Sequence, residues 1–200
     1  MAEVLLKTEE LTKSFGGLVA IQELSMEVEA GEIHAVIGPN GAGKTTLIAQ
    51  LSGSLKPDSG RILFGNRDIT HVPEYRRSAL GLARSFQITS VLKNFSALDN
   101  VALAVQAHAG HSFRFWSKAR KAQELREPAL EILEKIGLTD RMDMPASSLS
   151  HGEQRQLELA MALAIRPKLL LLDEPMAGMG VEESQKMVEL LQNLKGIHTL

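Results

Sequence analysis

One eight-residue stretch constrains this chain more than any other: Gly38-Pro39-Asn40-Gly41-Ala42-Gly43-Lys44-Thr45 matches G-x-x-x-x-G-K-[ST] in full. The apolar run IHAVI leads into it as a buried strand, and TTLIAQLSG leads out as a helix. A strand-loop-helix unit of this kind belongs to an α/β fold built on a parallel sheet. The residue types follow from the task of holding an anion. Glycines let successive backbone N–H groups curl round a phosphate at the positive end of the next helix. Lys44 is positioned to reach terminal phosphates, the Thr45 hydroxyl to ligate Mg²⁺, and Thr46 to donate near the first phosphate. The competing reading, a glycine turn that merely caps a helix, has no use for the Lys-Thr pair.

A second acidic feature fits the first. The run from Lys168 to Leu172 is an apolar strand that ends in Asp173-Glu174. Such a strand delivers carboxylates to the C-terminal edge of a parallel sheet, where open α/β folds bind ligands. Asp173 is expected to hold Mg²⁺, directly or through water, and Glu174 to polarise an attacking water as general base. Taken alone, two acids at a strand end are more often solvated; the phosphate loop tips the balance toward chemistry.

The remaining chain reads coarsely as strands, then helices, then α/β again. Val19 to Val28 alternates apolar and polar residues, and Ala30-Gly31-Glu32 forms a turn. Pro57 to Gly60 is a turn by composition, RILFGNRDI a strand pair, and PEYRRSALG a short helix. SALDNVALAVQAHA and SKARKAQELREPALEILEKIGL have helical spacing; Pro128 should break or restart the second, and Gly137 caps it. HGEQRQLELAMALAI is helical with Leu157, Met161 and Ala164 on one face, and VEESQKMVELLQNLK is amphipathic. The pattern implies an α/β core with a helical subdomain of about residues 88–160 inserted between core segments 1–87 and 161–200.

Composition excludes several classes. With 22 basic and 24 acidic residues the net charge is −2, and no basic block points to nucleic acid as a partner. Absence of cysteine excludes disulfides and thiolate metal sites. The longest purely apolar runs, such as Leu169 to Leu172, fall far short of the roughly 20 residues a membrane span needs. The N-terminus lacks the apolar core of a signal peptide. Work at a membrane would therefore be peripheral.

The stretch LSHGEQ, Leu149 to Gln154, has two readings. Ser150 with Glu153 three residues on is a capping box. Gly152 inside the box is a poor choice for a first helical turn unless something must approach the backbone closely.

The phosphate loop, LSHGEQ and LLLLDEP, in that order and spacing, resemble the ATP-binding cassette family of ATPases across nearly the whole chain. LSHGEQ resembles that family's LSGGQ signature, with His151 at the first Gly position, Gly152 retained and Glu153 at the Gln position. The resemblance implies a P-loop NTPase core of RecA type, an N-terminal antiparallel β subdomain and the inserted helical subdomain. It implies ATP and Mg²⁺ as cofactors, and a head-to-tail dimer with a second ATPase subunit, homo- or heteromeric. In that dimer Ser150, Gly152 and Glu153 would face the γ-phosphate of the other subunit's ATP through orphan N–H groups and the helix dipole. Phe15 stands where an aromatic residue stacks on adenine, although a core or turn role is nearly as good. Gln87, in ARSFQ, resembles the glutamine that senses Mg²⁺ and water and links to the membrane subunit. After Pro175, MAGMG replaces the usual SALD, with Gly180 at the aspartate position. The family's switch histidine is expected some 30 residues past Glu174, beyond a further strand, so His198 reads as exposed loop polarity and the chain as C-terminally truncated.

Together ARSFQ, the insert from His108 to Leu138 and DEPMAGM resemble subunits that power importers of branched-chain amino acids or urea. Permease subunits and a solute-binding protein would then be separate chains, with the segment ITSVLKNFSALDN as the dock for the permease. Phe113, Phe115 and Trp116 interleave with Arg114, Lys118, Arg120 and Lys121; this reads as a loop packing on its own subdomain rather than a nucleic-acid surface. A soluble cassette ATPase acting on ribosomes or DNA is the alternative, but it wants tandem cassettes, a long coiled coil or a basic face. A P-loop kinase or GTPase has no reason to carry LSHGEQ before LLLLDEP.

Overall fold

The computed structural model describes residues 3–84, 91–108 and 123–200, which form two compact units. The first comprises residues 1–84, 168–173 and 194–200, and the second residues 85–167 and 174–193.

In the first unit, β1 (Val4–Phe15) and β2 (Leu18–Glu29) form a long antiparallel hairpin. Strand β3 (Ser59–Phe64) pairs with the other side of β1, and the short β4 (Arg67–Asp68) gives the order β2-β1-β3-β4. Alternation puts Leu6, Thr8 and Ile62 inside, while Lys7, Glu9 and Arg61 stay outside as ion pairs. Between Thr8 and Leu11 the register slips, Glu10 takes φ 49°, and the buried set moves to Leu11.

Helix α1 (Lys44–Ser52) leaves the phosphate loop and buries Leu47 and Leu51 in the core formed by this sheet, Ile69, Leu82, Leu169 and Leu171. Its C-terminal carbonyls are held by Arg77 of α2 (Glu74–Ala79), a residue only 1 % exposed. The guanidinium donates to Gln50 O (2.8 Å), Leu51 O (2.7 Å), Thr70 O (3.0 Å) and Val72 O (2.8 Å). Burial pushes its pKa down, yet the fork of donors matches four carbonyls, three of which have no backbone donor among the described residues.

The parallel core is smaller than the apolar runs imply. Strands β5 (Leu82–Arg84) and β6 (Leu169–Leu171) pair in parallel, and Thr199 bridges to Leu169 on the other side of β6. The sequence reading missed β5, whose three residues carry too little period to register. It also placed a buried strand at IHAVI, which is a correction. Residues 32–39 form no regular strand, Val36 is 43 % exposed and Ile37 is 92 % exposed. The pairing of this segment among the described residues is short. His34 N donates to Leu200 O and Leu200 N to Glu32 O, both 2.9 Å, and no further ladder bond follows among the described residues. An apolar run is buried in a parallel sheet only where strands and helices cover it.

The second unit is helical: α3 (Ala97–His108), α4 (Gln123–Lys135), α5 (His151–Ala164) and nearly all of α6 (Val181–Leu194). The wholly buried Asn100 donates to the carbonyls of Leu92 and Ser96 and accepts from Leu92 N, stapling the segment before α3. Pro128 does not break α4, contrary to the sequence expectation. The carbonyl it deprives of a partner belongs to Glu124, on the exposed side where water serves it, while Leu125, Ala129 and Leu133 form a buried i, i+4, i+8 stripe. The end of α4 is closed as expected: Gly137 N donates to Glu134 O and Leu138 N to Leu133 O, a Schellman pair.

Candidate functional site

Within the first unit the phosphate loop curls from Gly38 through Pro39, Asn40, Gly41 and Ala42 into α1. Gly43 is the N-cap at φ 85°, and a Cβ there would stand 2.3 Å from Ala20 O on β2. Any other residue would be strained in backbone and would collide, so the sharp entry into α1 depends on this glycine. Lys44 folds along the loop and donates to Gly38 O (2.7 Å) and Pro39 O (2.9 Å). Its ammonium therefore lies over the concave backbone at the positive end of α1. Thr45 and Thr46 occupy the first turn behind it.

Strand β6 runs straight toward this loop and delivers Asp173, whose side chain is 4 % exposed. The Thr45 hydroxyl lies 3.4 Å from Asp173 Oδ1. Two hard oxygen donors at this spacing suit Mg²⁺, whose adjacent octahedral ligands stand roughly 3 Å apart and which takes few protein ligands alongside phosphate oxygens. Asp173 Oδ2 faces Arg84 Nη2 at 3.5 Å, and Arg84 Nη1 donates to Ser54 Oγ at 3.3 Å. Sequence reasoning singled out Gln87 in ARSFQ and missed Arg84. Its parallel register opposite Leu171, two residues before Asp173, is what brings it there. Phe15, at the end of β1, is 49 % exposed with Lys13 Nζ 5.5 Å from its ring centroid, so it is not a core residue. Gln87 and the aromatic-basic cluster from Phe113 to Lys121 lie outside the described residues. His198 is half-buried rather than exposed, and it precedes the Thr199 bridge to β6.

In the second unit LSHGEQ does start a helix, and the capping box is complete. Glu153 N donates to Ser150 Oγ (3.2 Å), and Ser150 N donates to Glu153 Oε2 (2.8 Å). The Ser150 N–H, then Arg141 at 3.0 Å, hold the Glu153 carboxyl below the ordinary glutamate range. Gly152 is buried, and the place where its Cβ would stand is taken by another carboxylate: Glu183 Cδ and Oε1 are both 2.6 Å away. Ser150 Oγ is 3.4 Å from Glu183 Oε1, and Gly180 N donates to Glu183 Oε2 (3.2 Å). Nothing in the sequence singled out Glu183 beyond its place in an amphipathic helix. Glu174 opens this unit, exposed and at φ 48°, in a turn where Ala177 N donates to its carbonyl. A glutamate in the left-handed region costs on the order of 1 kcal/mol and is the kind of strain that gathers at functional positions.

Comparison with known proteins gives these two units a common family. Residues 21–177 match the family model described as ABC transporter. The chain is 39 % identical over 193 residues to a probable branched-chain amino acid transport ATP-binding protein, LivG, of Archaeoglobus fulgidus, covering 96 % of this chain and 75 % of that protein. It is 34 % identical over 205 residues to the high-affinity branched-chain amino acid transport ATP-binding protein BraF of Pseudomonas aeruginosa, covering 100 % and 80 %. Among solved structures, an ATP-binding cassette of an ABC transporter in its ADP conformation superposes with a TM-score of 0.85 at 33 % identity, over 98 % of this chain and 79 % of that one. A nucleotide-free cassette gives 0.82 at 32 % identity, over 98 % and 79 %. The fold is thus the α/β P-loop NTPase fold, with its antiparallel β portion and helical portion as described above. With a phosphate loop, an acidic strand end and a glycine-bearing helix start all present, the chain belongs to the ABC transporter family as an ATP-binding, ATP-hydrolysing subunit.

Proposed function

We propose that this chain drives an importer of branched-chain amino acids, by ATP-dependent pairing with a second ATPase subunit and docking beneath permease subunits. The observation that carries the reading is the meeting of Thr45 and Asp173 at 3.4 Å under a complete phosphate loop. The relatives' names supply the solute class. The residue roles follow from chemistry. Backbone N–H groups from Gly38 to Thr46 bind the phosphates and Lys44 neutralises the terminal ones. Thr45, Asp173 and Gln87 would hold Mg²⁺, which supplies charge neutralisation on the β- and γ-phosphates. Glu174 takes a proton from the attacking water, and Phe15 stacks on adenine with Lys13 beside it. Ser150, Gly152 and Glu153 face the terminal phosphate of nucleotide bound to the second subunit. The catalytic core comprises residues 1–87 and 161–200, the helical subdomain residues 88–160, and the subunit sits peripherally on the cytoplasmic membrane face. No described helix is long and apolar enough to cross a membrane; in this reading the permease subunits carry the solute path.

The test is Glu174→Gln. A positioned general base contributes roughly 10²- to 10⁴-fold to rate. The variant should bind ATP as the parent does, hydrolyse it at least about 100-fold more slowly, and accumulate an ATP-bound dimer on a sizing column. Hydrolysis at the parental rate would remove Glu174 from the chemistry.

A further inference from the structure

We propose that Glu183 is a built-in competitor for the start of α5, a carboxylate that an incoming phosphate must displace. This rests on the reading of Ser150 and Gly152 as the surface that meets the second subunit's nucleotide. Gly152 lacks a side chain, and the room this leaves would let an anion approach the backbone. That room holds the Glu183 carboxylate, with Cδ and Oε1 2.6 Å from the virtual Cβ. The same Oε1 lies 3.4 Å from Ser150 Oγ, while Oε2 accepts from Gly180 N at 3.2 Å. The carboxylate is therefore held from the α6 side and laid across the start of α5. A second contact supports this, because a Cβ on Gly178 would stand 3.1 Å from His151 Nε2. The first turn of α6 and the segment before it thus each approach the start of α5.

A simpler role is evident as well. Glu183 is the third residue of α6, and its reach back to Gly180 N is half a capping box. That role accounts for Oε2 but not for Oε1 over Gly152. Charge adds the competition. Glu153 already places one ionised carboxylate at this helix start, balanced by Arg141. Glu183 is a second, and the favourable dipole it enjoys there is the one a phosphate would use. Displacement by phosphate leaves Glu183 on Gly180 alone, so nucleotide-driven pairing would pull against this contact.

The two roles separate by substitution. Glutamine at the third helical position still reaches back to the cap, whereas alanine does not. In the Glu174→Gln background, the ATP concentration giving half-maximal dimer is read by light scattering. Adding Glu183→Gln should lower it about 2- to 5-fold, the range expected when a carboxylate stops competing at a helix start, with the melting temperature unchanged. Glu183→Ala should lower the ATP requirement likewise but also melt earlier, from loss of the α6 cap. An unchanged or raised ATP requirement in Glu183→Gln overturns the proposal, since the carboxylate would then be neutral or helpful to phosphate. If the Glu174→Gln parent itself forms no dimer at any ATP concentration, the underlying reading fails, and this proposal with it.

Discussion

Replacing Arg77 by methionine tests whether one buried cation fixes the back end of the phosphate-loop helix. The guanidinium donates to four carbonyls, of which Leu51, Thr70 and Val72 receive no backbone N–H among the described residues. Gln50 O keeps a second donor in Gly53 N at 3.2 Å. Leaving a buried acceptor unmade costs about 1–3 kcal/mol. Three such carbonyls set a gross loss of about 3–9 kcal/mol. Removing a desolvated guanidinium gives several kcal/mol back, so the net loss is taken at the lower end, about 3 kcal/mol. For a chain of this length each kcal/mol shifts Tm by about 2–4 °C, so Arg77→Met should melt roughly 6–12 °C below the parent. Calorimetry reads the shift. Arg77→Lys should recover only part of it, because one ammonium cannot span carbonyls that surround a planar fork. Nucleotide affinity at low temperature should stay near parental, since Arg77 touches only the far end of α1. A methionine variant melting within 2 °C of the parent, or a lysine variant fully as stable, would refute the reasoning.

Two further outcomes follow from single side chains. Gln50 is wholly buried and neither end of its amide has a partner among the described residues, so Gln50→Met should raise stability by about 1–2 kcal/mol in urea unfolding; a loss would mean the amide is satisfied. For Glu153 the folded pKa lies below its ordinary value, so its stabilisation is present above that ordinary value and drains away as pH falls through the folded one. The stability gap between parent and Glu153→Gln should therefore be constant near neutrality and close below about pH 4; a gap that widens on acidification would reverse the assignment.

The loop at Gly38–Thr45 and the capping box at Ser150 were legible because each is a local unit whose spacing sets its own geometry. Gly38 to Thr45 folds as a loop that turns into a helix start at Gly43, and Ser150 with Glu153 closes its box within one turn. Tertiary structure decided everything that depended on a neighbour distant in sequence. IHAVI is apolar enough for a core strand, yet Ile37 lies exposed because a strand's burial depends on the strands beside it. Pro128 stays inside α4 because a buried stripe and a solvated carbonyl outweigh the lost hydrogen bond. Arg84 reaches Asp173 only through parallel pairing of segments more than 80 residues apart. Glu183 reaches Gly152 only through the packing of α6 near the start of α5. Periodicity and motif report short-range physics, the backbone's own hydrogen bonds and dipoles. Which carboxylate meets which cation or glycine is set by packing: in one unit packing brings Arg84 to Asp173, and in the other it brings Glu183 to Gly152.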